Sequence, residues 1–187
     1  MKNRIMQILL LAYGIMAVSC VKTQLETTYN KQEDQIDQYI TKNMVVKNEA
    51  GGTDTLRVVR NGGANRLVKK EGSGEELNPD GYVSFYYAGY SFSGSLSAAN
   101  LFATNMLSVA EEAGWKNTDI ENDLYEVSMN DAEFIEGLRN GLMGVKAGEE
   151  CEILFSAKYG FGNKTLGIIP AKTALLYRIW VIGVTND

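Results

Sequence analysis

The sequence predicts an α+β domain in which antiparallel strands surround one short helix. Strand-type runs recur at 55–60, 65–70, 82–90, 125–129, 151–155 and 174–177, rich in β-branched and aromatic residues. Between the later runs stands a Gly-punctuated helical stretch, in which Phe134, Ile135, Leu138 and Leu142 make one apolar face. The first two runs flank Asn61-Gly62-Gly63, a hairpin turn by composition.

The chain opens with Lys2 and Arg4, then an apolar run over 5–18 broken by Gln7 and Gly14, then Ala17-Val18-Ser19-Cys20. A charged start, an apolar stretch of this length and small residues at the cut form a secretory signal over 1–19. Cys20 directly after it resembles a bacterial lipobox, whose cysteine becomes the lipidated first residue. Ala17 stands where most such boxes carry leucine. The resemblance implies export and lipid anchoring at the cell envelope, at the outer membrane of a Gram-negative bacterium, on its periplasmic or surface face. A buried N-terminal helix or an uncleaved anchor are the alternatives, although the run is shorter than the ~20 residues of a spanning helix.

Residues 20–52 read as a lipidated tether with a helix. The stretch 21–30 is polar and aperiodic, as a flexible spacer would be. Over 31–44, Ile36, Tyr39, Ile40 and Met44 form a narrow apolar stripe on a charged helix. Such a stripe suits a stand-off helix docked on the domain, or an oligomerisation helix; the oligomeric state stays open. The domain proper is 53–187.

Residues 71–81 form a loop and then a turn with Pro79 at its second position. In 82–90, Val83, Phe85 and Tyr87 share one face, and Tyr82, Ser84 and Tyr86 the other. Residues 106–124 are an insertion, with two helical turns ended by Gly114; an ordinary surface loop and a substrate flap both fit it. Asn130 and Glu133 have capping-box spacing at the start of the helix. Gly137, Gly141 and Gly144 each cost about 1 kcal/mol of helix propensity, so this helix needs the sheet to hold it. Cys151 lies on the Ile153/Phe155 face of its strand, as a small buried hydrophobe rather than a nucleophile. Glu149, Glu150 and Glu152 are expected as solvated surface. Gly160-Phe-Gly-Asn-Lys-Thr165 fails the spacing of a phosphate loop.

Composition removes much chemistry. There is no histidine, so histidine-based triads, general bases and imidazole zinc sites are excluded. Two cysteines allow neither a disulfide framework nor a CxxC redox motif. The formal charge of −5 becomes −7 once Lys2 and Arg4 leave with the signal, which argues against nucleic acid as a partner.

Several motifs occur in one order: Phe85-Tyr-Tyr-Ala-Gly89, Leu101-Phe-Ala-Thr-Asn105, Glu133-Phe-Ile-Glu-Gly137, Tyr159-Gly-Phe-Gly162, Gly167-Ile-Ile-Pro170 and Ala174-Leu-Leu-Tyr177. In that order, from about 65 to 184, the chain resembles the FKBP-type peptidyl-prolyl isomerases. The resemblance implies a curved antiparallel sheet of about five strands wrapped around one short helix, with a proline pocket between them. It implies catalytic roles for Tyr87, Phe102, Ile135, Phe161 and Tyr177, and pocket roles for Tyr125, Phe134, Leu138, Ile168 and Ile169. The backbone N–H of Ile135 would hold a substrate carbonyl. No cofactor or metal is implied, and the partners would be proline-containing polypeptides.

Four positions depart from the family pattern. Ala103 replaces an aspartate, Phe161 a tyrosine, Leu138 a tryptophan and Tyr177 a phenylalanine. Three functions are therefore weighed: an isomerase that assists folding of exported proteins, a catalytically weak or inactive binding and chaperone module, and a scaffold subunit of a surface complex.

Overall fold

The computed structural model describes residues 2–49, 51–116 and 119–186, with side chains from Thr23 onward. A long helix, α1 (Lys2–Asn43), leads into a small antiparallel pair, β1 (Val45–Lys47) and β2 (Thr53–Thr55). The hairpin β3 (Val58–Asn61) and β4 (Ala64–Lys70) follows, turning at Gly62-Gly63. Next come β5 (Tyr82–Phe92), β6 (Leu101–Thr104), α2 (Leu107–Glu112), β7 (Tyr125–Ser128), α3 (Glu136–Leu142), β8 (Glu150–Phe155) and β9 (Ala174–Thr185).

Strands β3 to β9 form one antiparallel sheet in the order β3-β4-β8-β9-β5-β6, with β7 pairing the first half of β5. The sequence pointed to about five strands. The runs at 55–60 and 125–129 correspond to β3 and β7, whereas β6, four residues long, had no run of its own because it is too short for a period of two to register. Register shifts at Ser84/Phe85 and Gly89/Tyr90 bend β5, the strand shared by β6, β7 and β9.

The sheet is covered on both faces. On one, Val83, Phe85, Ile153, Phe155, Leu175, Tyr177 and Ile179 pack with Phe134, Leu138 and Leu142. On the other, Ala88, Tyr90, Phe92, Leu154, Ala174 and Leu176 pack with Ile36, Tyr39 and Ile40. The stripe on α1 is therefore core: Ile36 is fully buried, Ile40 is 1% exposed and the Tyr39 ring lies 5.3 Å edge-on to Phe92. Aliphatic and aromatic burial on this scale contributes about 1.5–3 kcal/mol per side chain, which fixes the helix firmly.

The stretch 21–30, expected as a flexible spacer, continues α1. It contains neither Gly nor Pro. Extension adds one hydrogen bond per residue once the docked turns have nucleated. Thr27 and Thr28 donate their hydroxyls to the carbonyls of Thr23 and Gln24 one turn back, so they do not compete with the helix. The expected signal over 1–19 and the lipidation site Cys20 lie outside the residues whose side chains are described.

Two further expectations are corrected. Helix α3 begins at Glu136 with Ile135 as its N-cap, so Asn130 and Glu133 do not form a capping box. Instead Asp131 Oδ1 accepts the Glu133 N–H at 2.9 Å, and Phe134 N–H donates to the Asp131 carbonyl, folding 131–134 into a turn. Glu149 and Glu152 are buried rather than solvated, because each meets cations from distant strands. Glu149 pairs with Arg66 at 3.1 Å, while Glu152 pairs with Lys69 and Arg178 and accepts from the Tyr39 hydroxyl at 3.0 Å. Glu150 is half-buried beside Lys70. Arg66 also donates to the carbonyls of Gly141 and Met143, which closes the C-terminal end of α3. Cys151 is buried as expected, and burial pushes its thiol well above the ordinary range.

In the insertion, α2 buries Ala110 and ends at Glu112, with Ala113 as its C-cap and Gly114 at positive φ just after it. Val109, Ala113 and Trp115 pack against the cluster under α1, so this part of the insertion belongs to the second core.

Candidate functional site

Helix α3 has seven residues and spans roughly 10 Å, too little to roof the sheet it lies on. Beyond its N-terminus a cavity of about 670 Å³ opens between β5, β6, β7, β9 and the loop after β8. The cavity walls include all ten residues singled out in the sequence: Tyr87, Phe102, Ile135, Phe161, Tyr177, Tyr125, Phe134, Leu138, Ile168 and Ile169.

The walls are aromatic and mutually braced. Tyr177 is stacked on Phe155 at 6.0 Å and meets Phe102 edge-on at 5.7 Å. Tyr87 lies 6.0 Å from Tyr125 and 6.4 Å from Tyr177. Phe85 backs both Tyr125 and Tyr87. Gly89 makes this packing possible, because a Cβ there would meet the rings of Phe102 and Tyr177 at 2.8 Å.

Backbone ties hold the walls in place. The Tyr87 N–H donates to Asn105 Oδ1 at 2.7 Å, and Thr104 Oγ1 donates to the Tyr87 carbonyl at 2.7 Å. Asn105 Nδ2 also donates to the Asp123 carbonyl, which fixes the approach to Tyr125. Opposite, Gly137 sits against the Phe155 ring, where any side chain would collide, and this lets α3 press onto β8. Leu166 and Ile169 exchange two backbone hydrogen bonds of 2.9 Å. That tight turn turns Ile169 inward, 5% exposed, and leaves Ile168 at the rim, 75% exposed.

The polar inventory is short. Among the described residues, nothing accepts from the Ile135 N–H, and the hydroxyls of Tyr87, Tyr125 and Tyr177 have no hydrogen-bond partner. Burial first, then the neighbouring Tyr87 and Tyr125 hydroxyls, pushes the Tyr177 phenol up. Burial and then Tyr125 raise Tyr87 as well. Both stay neutral donors at ordinary pH. Ala103 lines the wall without offering a polar group.

Asp131 and Glu133 at the rim were missed in the sequence, where Glu133 was assigned to a helix cap. Their turn is held by Arg139, whose Nη2 donates to the carbonyls of Asp131 and Phe134. Phe85, Leu166 and Gly167 also line the cavity. Phe85 was legible from its alternation with Tyr87, whereas the inward turn at 166–167 had no sequence signal. Among the described residues, no cluster of three or more Cys, Asp or Glu is placed to hold a metal ion. The arrangement offers an apolar hollow that takes a small hydrophobic ring, with one backbone donor and neutral hydroxyls for a carbonyl.

Solved structures share this fold. A peptidyl-prolyl cis-trans isomerase of Pseudomonas syringae pv. tomato matches at TM-score 0.55 and 15% identity, over 86% of this chain and 96% of its own. FkpA of Escherichia coli matches at TM-score 0.51 and 16% identity, over 96% and 71%. The three FKBP domains of wheat FKBP73 match at TM-score 0.54 and 20% identity, over 73% of this chain; only 52% of the wheat chain is spanned. Likeness at these identities concerns the fold. The family model of the FKBP-type peptidyl-prolyl cis-trans isomerases matches residues 80–182, from the turn before β5 into the second half of β9. That is more than half of the sequence, and the chain belongs to this family.

Proposed function

We propose that the protein isomerises X-Pro peptide bonds of exported polypeptides in this hollow, without cofactor. An X-Pro bond resists rotation because twisting it costs the amide its resonance, a barrier of ~18–20 kcal/mol. In the twisted state the nitrogen is pyramidal and the carbonyl less polarised. A dry aromatic cup binds that state better than the planar, water-bonded one, and only such differential binding accelerates rotation. The prolyl ring sits among Tyr87, Phe102, Tyr125, Phe161 and Tyr177, over Leu138, with Ile169 closing one side. The unpaired Ile135 N–H holds the substrate carbonyl. The observation that carries this reading is the open cavity with a free donor at its edge, bounded by all ten predicted residues.

A second reading has its own support. Ala103 and Phe161 remove polar contacts worth about 1–3 kcal/mol each when buried. At the same time Leu166, Ile168, Leu124 and Tyr125 expose apolar surface around the site. A greasy rim with a depleted polar set suits a chaperone-like module that binds proline-containing or hydrophobic segments with little turnover.

A protease-coupled assay on a Leu-Pro or Phe-Pro peptide separates the two. Turnover that disappears in Tyr87→Ala and Ile135→Asp establishes the isomerase. Binding of the peptide without turnover establishes the module, and absence of both defeats the site. Restoring Ala103→Asp and Phe161→Tyr raises the rate if those departures weaken catalysis; an unchanged rate refutes that explanation. The signal-like sequence over 1–19 supports export with Cys20 as the lipid anchor; on that reading Cys20→Ser releases the protein from the membrane fraction, and unchanged membrane association refutes the anchor.

A further inference from the structure

The wall of the pocket that carries Phe161, Ile168 and Ile169 is one long loop, residues 157–172, between β8 and β9. A loop of this length moves freely unless it is tied down. Inside it, the Gly162 N–H donates to the Ala157 carbonyl and the Lys172 N–H to the Gly162 carbonyl, each at 2.8 Å. These bonds shape the loop but do not fasten it to the body.

Ile169, Tyr159 and Phe161 pack on the core, and one side chain of the N-terminal helix hydrogen-bonds to both feet of the loop. Gln32, 8% exposed, accepts the Ala157 N–H on Oε1 at 2.9 Å and donates from Nε2 to the Lys172 carbonyl at 2.6 Å. The next residue, Glu33, accepts from the Ser156 hydroxyl at 3.3 Å. A neutral amide carries an acceptor and a donor on one rigid plane; a carboxylate lacks the donor, and a thioether lacks the amide donor and is only a weak acceptor.

We propose that Gln32 is a positioning residue for the pocket: it clamps both feet of the 157–172 loop and so lets α1 set the wall against which the prolyl ring packs. The loop clamp stands on its own geometry, while its consequence for turnover rests on the isomerase reading above.

The test uses the full chain with Gln32→Met, Gln32→Glu and, as a control on the same helix, Ile40→Val. Amide hydrogen exchange and kcat and KM on a Leu-Pro peptide are measured for each. In Gln32→Met, exchange at Ala157, Gly162 and Lys172 rises at least tenfold while β8 and β9 keep their protection. kcat/KM falls three- to tenfold, mostly through KM. Gln32→Glu keeps Ala157 protected and loosens Lys172. Ile40→Val, which faces the sheet, leaves loop exchange and KM within twofold.

Unchanged loop exchange in Gln32→Met overturns the proposal. So does a loosened loop with unaltered KM and kcat, or an equal loss in Ile40→Val. If the wild-type chain neither binds nor turns over the peptide, the isomerase reading falls, and exchange alone decides whether Gln32 holds the loop.

Discussion

The two faces of the sheet are made by alternate residues of the same strands, yet one is filled and the other hollow. Leu154 points to α1 while its neighbours Ile153 and Phe155 point to α3, and Leu176 and Tyr177 divide in the same way. What differs is the cover. Helix α1 is long and lays Ile36, Tyr39 and Ile40 across its face as plain core. Helix α3 stops after two turns, so aromatic rings with no helix above them line a cavity. Each face also buries one carboxylate, Glu149 on the α3 side and Glu152 on the α1 side. A pocket here is a core left uncovered by a short helix.

The largest effect tests what holds the short cover in place. Arg66→Met takes the nearer cation from the buried Glu149, leaving it only the half-exposed Arg57 at 3.4 Å, and uncaps the carbonyls of Gly141 and Met143. Loss of one partner of a buried pair costs about 3–5 kcal/mol, and urea unfolding reads it directly. A loss under 1 kcal/mol would mean that the end of α3 does not depend on Arg66. Next comes the filled face. Leu154→Ala opens a void under α1 and costs about 2–5 kcal/mol of stability. Assayed where the variant is folded, its kcat/KM stays within twofold, because Leu154 does not touch the pocket. A large loss of activity would show that the two faces are not separable.

How legible each face was follows from where its partners lie in the chain. The alternation of Val83, Phe85 and Tyr87 and the apolar face of Phe134, Ile135, Leu138 and Leu142 are local patterns and carried the fold, while the cavity walls came from the order of motifs that resembles the family. The uninterrupted run Ala174-Leu-Leu-Tyr177 held a further signal, since alternation fails where both faces of a strand are buried. Glu149 and Glu152 looked solvated because Arg66, Lys69 and Arg178 approach them from other strands, which no local pattern encodes. The helical continuation over 21–30 had no apolar stripe to announce it. Gln32 was invisible for the same reason: its partners, Ala157 and Lys172, belong to the far end of the chain.

A subtler break of the comparison is Gly89→Ala. An added methyl at Gly89 meets the rings of Phe102 and Tyr177. Overpacking of this kind costs about 1–3 kcal/mol, and the displaced rings narrow the cup. We expect kcat/KM to drop about tenfold, consistent with ~1.4 kcal/mol of lost transition-state binding. Retained activity with a normal melting temperature would show that the rings move aside without consequence.

The smallest effect is the most specific to this chain. Tyr177 is packed like a core residue, stacked on Phe155 and 5% exposed, yet its hydroxyl has no protein partner among the described residues. A hydroxyl without a protein partner at the cavity wall is free to donate, and on the hollow face a substrate carbonyl can accept from it. Tyr177→Phe therefore leaves stability within about 0.5 kcal/mol but lowers kcat/KM two- to tenfold, the weight of one neutral hydrogen bond of about 0.5–1.5 kcal/mol. Burial raises the phenol above its ordinary value, so it remains protonated, and the difference between wild type and variant is flat with pH below about 10. If Tyr177→Phe instead raises stability and leaves turnover unchanged, the hydroxyl is a tolerated cost of packing, and the hollow face recognises its substrate through apolar contact and the Ile135 N–H alone.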